Sequence, residues 1–336
     1  MLLQSREPIG RKARQCGFHH TQPARRPLTI HGRTGAFPCI LVCVHNNNKR
    51  QLMTSSTSAT DTSRISISAH YTGYIWYKHG LSAPGFITGM GRVANAALSP
   101  VNAFLRLVAG ADIDTFLLQR HSVIDHQVER LIEEEGVEQI VEIAAGLSPR
   151  GYRFKQKYPQ LTYIEADLPG MANRKQALLA EIGQSSGHSV RACNILQQEG
   201  DDSIAALLAS LDPAKKTAIV TEGLVNYFDL VTIRSVWSRM AEGLKGFSAG
   251  FYVTDLYPDF ADHPSYRYVK FAQKLVGFFT RGQWPLHYPS DAAIKEGFQQ
   301  DGFNEVRVHD PAEFYGKLNL PQAKTQTLVR IIRASV

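Results

Sequence analysis

Residues 138–154 read EQIVEIAAGLSPRGYRF, and this stretch decides the fold. Ile140, Val141 and Ile143 form a short apolar run that is typical of a buried strand, and the run stops at Gly146. The turn after Gly146 leads into aromatic residues that predict a helix. In an open α/β sheet, a strand, a glycine turn and a helix present backbone N–H groups to a ligand at the carboxyl end of the strand. The stretch therefore predicts a ligand site at this turn.

An acidic residue follows at the tip of the next apolar run. Asp167 lies in the sequence TYIEADLPG, and a carboxylate at that place can accept both hydroxyl hydrogens of a ribose. Gly146 and Asp167 together indicate a cofactor that contains a nucleoside. An ordinary α/β turn beside a solvated aspartate explains the same two features, so both interpretations stay open at this point.

The composition of the turn distinguishes between cofactors. A dinucleotide fold uses the pattern G-x-G-x-x-G, in which the second glycine lets a pyrophosphate approach the backbone. Here the bulky Leu147 follows the glycine, and Pro149 removes a backbone donor. A cofactor without phosphate and with an amino-acid tail fits this turn better, which indicates S-adenosylmethionine.

Three motifs, in order, carry a resemblance to a known family. They read VEIAAGLSPRGYRF, YIEADLPGMANRKQ and VTEGLVNYF. They resemble the successive motifs of class I S-adenosylmethionine-dependent methyltransferases in the leucine carboxyl methyltransferase-like family, over residues 120–228. Two positions depart from the family pattern. Ala144 stands where a glycine is common, and Asn194 stands where the family usually has an aspartate near the adenine.

The resemblance implies a set of cofactor contacts. An arginine can hold the cofactor carboxylate through two hydrogen bonds, and an asparagine can still bind the amino-purine edge. The implied contacts are Arg120 on the carboxylate, Glu142 as a structural or water-mediated neighbour, Gly146 for backbone access, Asp167 on the ribose, Asn194 near the adenine, and Glu222 beside the methionine amine.

The acceptor side is less well defined by the sequence. Residues 61–120 include a segment dense in Trp and Tyr, whose apolar faces and polar tips suit a lid over a ligand. Aromatic residues that simply cover the sheet give the same pattern, so a lid and a plain cover both stay open. His70 and Tyr74 are candidate substrate-side residues. Tyr227, in the E-G-x-x-x-Y motif, either lines the acceptor site or packs in the core.

The implied reaction transfers an activated methyl group to an acceptor oxygen. The cofactor carries that chemistry, so the protein must align the acceptor and exclude water. A carboxylate acceptor needs no base, whereas a hydroxyl needs one, and His70, His79 and His287 are available. We expect the acceptor to be a carboxylate or hydroxyl of a small molecule or peptide end. A catalytically silent methyltransferase-like binding module and a nucleotide-dependent oxidoreductase are the alternatives.

Apolar runs and helical periodicities alternate from the first strand to the end of the chain. Strands separated by helices of about 10–15 residues predict a doubly wound, mostly parallel sheet. The resemblance implies the seven-stranded, Rossmann-like methyltransferase sheet with its last strand antiparallel. We expect a methyltransferase domain over residues 61–336, with its cofactor-binding sheet at 121–336. The third strand is predicted at 190–195, the closing strand at 327–332, and an inserted helix that could line a substrate pocket at about 264–280.

The charge of the chain is concentrated at its start. Of the formal net charge of +7, residues 1–60 contribute nine basic residues against one acidic residue, while residues 61–336 hold 28 basic and 29 acidic residues. The basic pI is thus no sign of a nucleic-acid-binding core. The Ser/Thr/Asn-rich composition of the first 60 residues predicts disorder. They are either a transit peptide or an untranslated extension ahead of Met53, and their scattered prolines favour the extension.

The positions of the cysteines indicate the redox state of the cellular compartment. Only Cys193 of the four cysteines lies beyond the basic extension, which excludes a disulfide framework and indicates a reducing compartment. We therefore expect a cytoplasmic protein, with a mitochondrial address left open by the arginine-rich start. The Cys39-x3-Cys43-x-His45 grouping is too sparse for a metal site, and the histidines lack metal-ligand spacing, so we expect no metal. No run reaches the ~18 apolar residues of a membrane span.

Overall fold

The computed structural model describes residues 68–260, 284–324, 327 and 329–336. Several predictions made from the sequence lie outside the described residues. They concern the extension at 1–60 with its cysteine grouping and Met53, the first residues of the segment at 61–120, and the inserted helix at 264–280.

Seven strands of the described residues form one sheet. Its order is β3-β2-β1-β4-β5-β7-β6. Only β7 runs antiparallel, to β5 and β6, while the other neighbouring pairs are parallel. This topology confirms the predicted doubly wound, mostly parallel sheet with its last strand antiparallel. The strands are β1 Gln139–Ile143, β2 Thr162–Asp167, β3 His188–Ala192, β4 Lys216–Thr221, β5 Ala249–Leu256, β6 Glu305–His309 and β7 Arg330–Ser335.

Helices precede and separate the strands. No helix among the described residues is both long enough and apolar enough to cross a bilayer. Short 3-10 turns occur at Pro84–Phe86, Val225–Tyr227 and Pro311–Phe314. The helices are α1 over residues 68–78, α2 Gly89–Ala109, α3 Ile113–Glu133, α4 Arg150–Lys157, α5 Pro169–Ile182, α6 Ile204–Ala209, α7 Leu230–Leu244 and α8 Asp291–Gln300.

Two apolar layers cover the faces of the sheet. Trp237 of α7 and Phe298 of α8 belong to one layer, and their rings lie 4.4 Å apart between centroids. Ile124 of α3 and Phe154 of α4 belong to the other. Alternate residues of β4 point into different layers, as the two-residue period of a strand requires. The apolar runs of the sequence are therefore strands buried on both faces.

The strand order places a topological switch point between β1 and β4. From β1 the chain moves outward through β2 and β3, and then returns to pair β4 with the other side of β1. Ile143 at the end of β1 lies opposite Thr221 at the end of β4. The residues just beyond them, Gly146 and Glu222, therefore follow neighbouring strand ends. Open α/β sheets bind ligands at this position.

Two predicted strand positions are wrong by two to three residues. β3 is His188–Ala192 rather than 190–195, because the chain turns at Asn194, whose backbone oxygen accepts a hydrogen bond from Gln197 N–H at 2.9 Å. β7 is Arg330–Ser335 rather than 327–332, because it pairs along β5 through a register that places two arginines inside the strand. Polar residues within both strands obscured their apolar pattern.

Candidate cofactor site

The turn after β1 has an unusual backbone. Ala144 has φ 55° and Gly146 has φ 51°, in the left-handed region that only glycine adopts readily. The turn is tied down by Ala145 N–H, which donates to Ala166 O at 3.2 Å, and by Ser148 N–H, which donates to Ala145 O at 2.8 Å. Ala144 occupies the position where the resembling family commonly has glycine, and its φ is one that glycine would adopt without strain.

We expect Ala144→Gly to raise the free energy of unfolding by about 1 kcal/mol. A left-handed conformation costs an L-residue roughly 1–2 kcal/mol, and part of that gain is offset by the greater freedom of glycine in the unfolded chain. Urea denaturation measures the change. Ala145→Gly is the matched control, and it should destabilise, because Ala145 has no positive φ to relieve. If Ala144→Gly lowered the free energy of unfolding, the inferred backbone strain at Ala144 would be contradicted.

Asp167, at the end of β2, lies against this turn. Its Oδ2 accepts a hydrogen bond from Gly146 N–H at 2.7 Å, and its Oδ1 accepts one from Leu168 N–H at 2.8 Å. Burial raises the pKa of Asp167, while the two backbone donors oppose that shift. Each carboxylate oxygen keeps a further lone pair for a ligand hydroxyl. The structure thus brings together the two residues that the sequence assigned to one cofactor.

Arg120 of α3 reaches the ends of β4 and β5. Its Nε donates to Glu222 Oε1 at 3.0 Å, and its Nη1 lies 3.5 Å from Asp255 Oδ2. Gly223 packs under the guanidinium, since a Cβ atom there would lie 3.1 Å from both terminal nitrogens. Gly223 N–H also donates to Asp255 Oδ1 at 2.7 Å. A guanidinium has five N–H donors, so Arg120 can bind a ligand carboxylate while it keeps Glu222.

Arg150 connects three carboxylates in the interior. Its side chain is fully buried, and it donates to Asp125 Oδ1 at 2.6 Å, Glu142 Oε1 at 2.5 Å and Glu222 Oε2 at 2.5 Å. The second oxygen of Glu142 accepts the hydroxyl hydrogen of Tyr163 at 2.7 Å. Both oxygens of Glu142 are therefore engaged by the protein, and its structural or water-mediated role in the cofactor pocket stays a prediction. The sequence assigned no contact to Arg150.

Glu222 is held ionised by its neighbours. His121 Nδ1 lies 2.8 Å from Glu222 Oε2, and the His121 ring packs 4.7 Å from the Trp76 ring of α1, between centroids. Burial alone would raise the pKa of Glu222, but His121, Arg150 and Arg120 together hold it well below the usual range. The predicted partner of the methionine amine is thus an anion at neutral pH. Sequence reasoning missed His121, which lies next to Arg120 in the chain.

Lys175 of α5 fixes the far side of the turn. Its Nζ donates to Ser148 O at 2.5 Å and pairs with Glu165 Oε2 at 2.7 Å. The lysine is buried, so it acts on the backbone of the turn rather than on solvent. Lys175 lies in the stretch YIEADLPGMANRKQ, but the sequence does not show which carbonyl it contacts.

Helix α1 lies directly against the cofactor turn. A Cβ atom at Gly146 would lie 3.2 Å from Ala69 Cβ, and one at Gly73 would lie 3.1 Å from Leu147 Cβ. Tyr227 donates its hydroxyl hydrogen to Ser68 Oγ at 3.2 Å. Close packing of small residues brings the helix onto the turn. A lid and a plain cover both require such contacts, so the lid interpretation stays a prediction.

The other predicted acceptor-side residues are not gathered at this turn. His70 Nδ1 lies 3.0 Å from Thr88 Oγ1, the cap of α2, and burial lowers the pKa of His70. Tyr74 also faces α2, because a Cβ atom at Gly91 would lie 3.0 Å from Tyr74 Cβ. His79 is a partly exposed residue 4.0 Å from Asp114 Oδ2. The roles of all three in acceptor binding stay predictions.

Two further predicted residues, Asn194 and His287, lie near the ends of different strands, β3 and β5. Asn194 follows β3, and its Oδ1 accepts Leu196 N–H at 3.1 Å, so its side chain supports a turn. His287 is buried, and its backbone N–H donates to Tyr257 O at 3.2 Å. Burial lowers the pKa of His287. Its Nε2 has no hydrogen-bond partner among the described residues.

The donor set fits S-adenosylmethionine. Arg120 offers a cation to a carboxylate, Glu222 an anion to an ammonium group, and Asp167 two oxygens to a diol. Gly146 and Gly223 provide backbone surfaces on which a side chain would crowd Ala69 and Arg120. Gly146, Asp167 and Glu222 lie at or just beyond the ends of the neighbouring strands β1, β2 and β4, and Arg120 contacts Glu222, so one elongated ligand can reach all four.

Comparisons with known proteins give a consistent result. The family model described as leucine carboxyl methyltransferase matches residues 96–241. A Frankia alni protein named "Putative S-adenosyl-L-methionine-dependent methyltransferase" is 33% identical over 135 residues, which are 40% of this chain and 46% of that protein. The chain thus spans less than half the length of this curated relative.

Two solved structures resemble the chain over most of its length. A DUF574 family protein from Streptomyces avermitilis has a TM-score of 0.54 at 13% identity and covers 80% of this chain and 96% of its own. A structure titled as a putative methyltransferase from Thermobifida fusca has a TM-score of 0.53 at 15% identity, with 74% and 88% covered. At this identity the likeness shows a shared fold. Together with the family match, it confirms the predicted resemblance to S-adenosylmethionine-dependent methyltransferases.

Proposed function

We propose that this chain, which resembles the leucine carboxyl methyltransferase family over residues 96–241, is an S-adenosylmethionine-dependent O-methyltransferase. Its acceptor is a carboxylate or hydroxyl of a small molecule or peptide end. The observation that carries the proposal is one sheet edge where Asp167 binds the Gly146 turn and Arg120 pairs with an ionised Glu222. The names of the curated relatives support the same cofactor.

Each of these residues has a role that follows from its charge. Arg120 holds the cofactor carboxylate, Glu222 the methionine amine, and Asp167 the ribose hydroxyls. Asn194 follows β3, and its proposed role is a contact with the adenine. Because Arg120 is already positioned by Glu222 and Asp255, its side chain loses little freedom when the ligand binds.

The chain positions and shields the reactants. When bound, S-adenosylmethionine supplies an activated methyl group on a sulfonium. Helix α1 excludes water from the turn through its contacts at Gly146 and Leu147. Tyr227, which links the loop after β4 to α1, lines the acceptor side. Holding the acceptor oxygen in line with the transferred group accounts for several kcal/mol of the rate.

A carboxylate acceptor is the simpler case. It is ionised at neutral pH and needs no general base, so the site needs only alignment. The description of the matching family, leucine carboxyl methyltransferase, supports this choice. For a hydroxyl acceptor, His287 is the candidate base, because its Nε2 has no hydrogen-bond partner among the described residues and burial, which lowers its pKa, keeps the ring neutral.

Two alternatives have less support. A nucleotide-dependent oxidoreductase needs a turn that accepts a pyrophosphate, and here Leu147 and Pro149 occupy the turn. A catalytically silent binding module has no need to keep Arg120, Asp167 and Glu222 together. A silent module transfers no methyl group, whether or not it binds the cofactor.

Transfer of labelled methyl groups tests the proposal. The full chain is incubated with methyl-labelled S-adenosylmethionine and a cell extract, and the labelled products are then separated. We expect an acceptor whose label is released as methanol by mild base, which identifies a methyl ester. A base-stable label would indicate an ether and a hydroxyl acceptor. Binding of S-adenosylmethionine without transfer to any acceptor would favour the silent module, and binding of NAD instead would favour the oxidoreductase.

A further inference from the structure

Helix α2 is apolar on two faces, and the described part of the chain packs against only one of them. The inner face carries Gly91, Ala94, Leu98 and Asn102, and it packs against α1 and the start of α3. Asn102 is buried, and its Nδ2 donates to Asp114 Oδ1 at 3.0 Å. A helix that is apolar around most of its circumference is normally covered on more than one side. We therefore expect a partner to pack against the outer face of α2.

The outer face is a continuous exposed stripe, here called the α2 seam. Its large members are exposed to unusual extents, from 53% for Met90 and 58% for Phe104 to 69% for Val93 and 85% for Leu107. Ala97 and Pro100 between them are also exposed. The positions alternate in steps of three and four along the helix. The α2 seam consists of Met90, Val93, Ala97, Pro100, Phe104 and Leu107.

This spacing is that of a helix–helix contact. Apolar residues in alternating steps of three and four occupy the a and d positions of a heptad, and they form a narrow strip that one neighbouring helix can cover. The small Ala97 and the flat ring of Pro100 lie at the middle, where two helices that cross approach most closely. A bilayer surface, by contrast, selects a broad apolar face with a strongly basic opposite face.

The charges of α2 favour an uncharged partner surface. Arg92 and Arg106 are its charged residues, and neither belongs to the α2 seam. Arg106 pairs with the buried Asp112, so its charge is compensated within the chain. Only Arg92 is left to attract an anionic lipid or an acidic peptide. An apolar seam without a charge of either sign is complementary to itself.

We propose that the α2 seam is a self-association surface, on which the α2 helix of a second copy of this chain packs. A helix of 21 residues is about 31 Å long and about 10–12 Å wide. Two such helices in contact along their length bury on the order of 1,000 Å² in total, which is at the lower end for a specific interface. The area predicts a dimer that dissociates on dilution rather than a permanent one.

Because the two contacting surfaces are identical, the pair has a two-fold axis and closes after two copies. Each large seam residue would then insert between residues of the partner helix. The seam is formed by α2 alone, on the face opposite the one that packs against α1 and α3, so a variant on it leaves the cofactor turn untouched.

The test is the mass of the full-length chain in solution, measured by sedimentation over a roughly hundredfold range of concentration. We expect a monomer–dimer equilibrium for the natural chain. Leu107→Glu should weaken dimerisation by roughly tenfold or more, because association would bury an unpaired carboxylate. Val231→Glu is the matched control. Val231 is 83% exposed on α7, away from α2, and its variant should dimerise as the natural chain does.

Several results would overturn the proposal. A natural chain that stays monomeric over the whole range has no self-association through α2. Equal weakening by Leu107→Glu and Val231→Glu would show that the effect is not specific to the seam. A monomeric chain that floats with vesicles of anionic phospholipid, when Leu107→Glu does not, would make the seam a membrane contact instead. Unchanged thermal unfolding of both variants excludes misfolding as the cause of any difference.

Discussion

Replacement of Arg150 by methionine is expected to lower the free energy of unfolding by about 3–5 kcal/mol, because it leaves buried carboxylates without their cation. Arg150 is fully buried and donates to Asp125, Glu142 and Glu222 at 2.5–2.6 Å. Methionine fills a similar volume, so the loss comes from charge rather than from a cavity. Urea denaturation of the purified variant measures the change.

A second arginine provides the control for that experiment. Arg130 forms a partly exposed pair with Glu134 one helical turn away, at 2.7 Å. Such pairs contribute only about 0.3–0.5 kcal/mol, so Arg130→Met should be nearly neutral. If Arg150→Met lowered the free energy of unfolding as little as Arg130→Met, the three buried carboxylates would not need Arg150 to compensate their charge. The proposed electrostatic framework of the site would then be wrong.

The sequence predicted the sheet because its local signals agree with the global fold. The apolar run of β1 and the turn at Gly146 each point to the element that forms there. Where local signals conflicted, the predicted strand was displaced from the observed one. The arginines of β7 reduce its apolar character, and the displaced prediction of that strand follows from this.

The charged network of the site could not be predicted from spacing. Asp125, Glu142 and Glu222 are far apart in the chain, and only the paired strands and α3 bring them to Arg150. A sequence pattern shows which residues are charged, but it does not show which charges share a partner. The stretch VEIAAGLSPRGYRF contains both Glu142 and Arg150, but nothing in the motifs showed that Arg150 joins Glu142 to Glu222 and Asp125.

The orientation of α1 could not be predicted from the sequence either. Aromatic and histidine residues occur on all sides of the segment at 68–78, so its composition suggested a lid without saying which side faces the ligand. In the structure Ala69 and Gly73 lie against the turn, whereas His70 and Tyr74 face α2. Small residues, which carry little sequence signal, make the closest contacts.

Asp167→Ala is expected to weaken the binding of S-adenosylmethionine by roughly ten- to a hundredfold. Hydrogen bonds to a charged group contribute about 1.5–3 kcal/mol, and the carboxylate is already held in place by Gly146 N–H and Leu168 N–H. The alanine side chain cannot accept a hydroxyl hydrogen. The turn also loses the acceptor for Gly146 N–H, which adds to the effect.

A structural control separates ligand binding from stability. Asp201 is an exposed aspartate in the loop before α6, and Asp201→Ala should leave the affinity unchanged. Both variants are first compared with the natural chain by thermal unfolding. Titrations are then performed at a temperature where all three proteins are folded.

The most direct test of the proposed site is a calorimetric titration of the natural chain and of Asp167→Ala with S-adenosylmethionine. We predict saturable binding to one site per chain for the natural protein, with affinity lower by one to two orders of magnitude in the variant. Equal affinity in the two folded proteins, or no binding by the natural chain at saturating ligand, would contradict the assignment of this turn as the cofactor site.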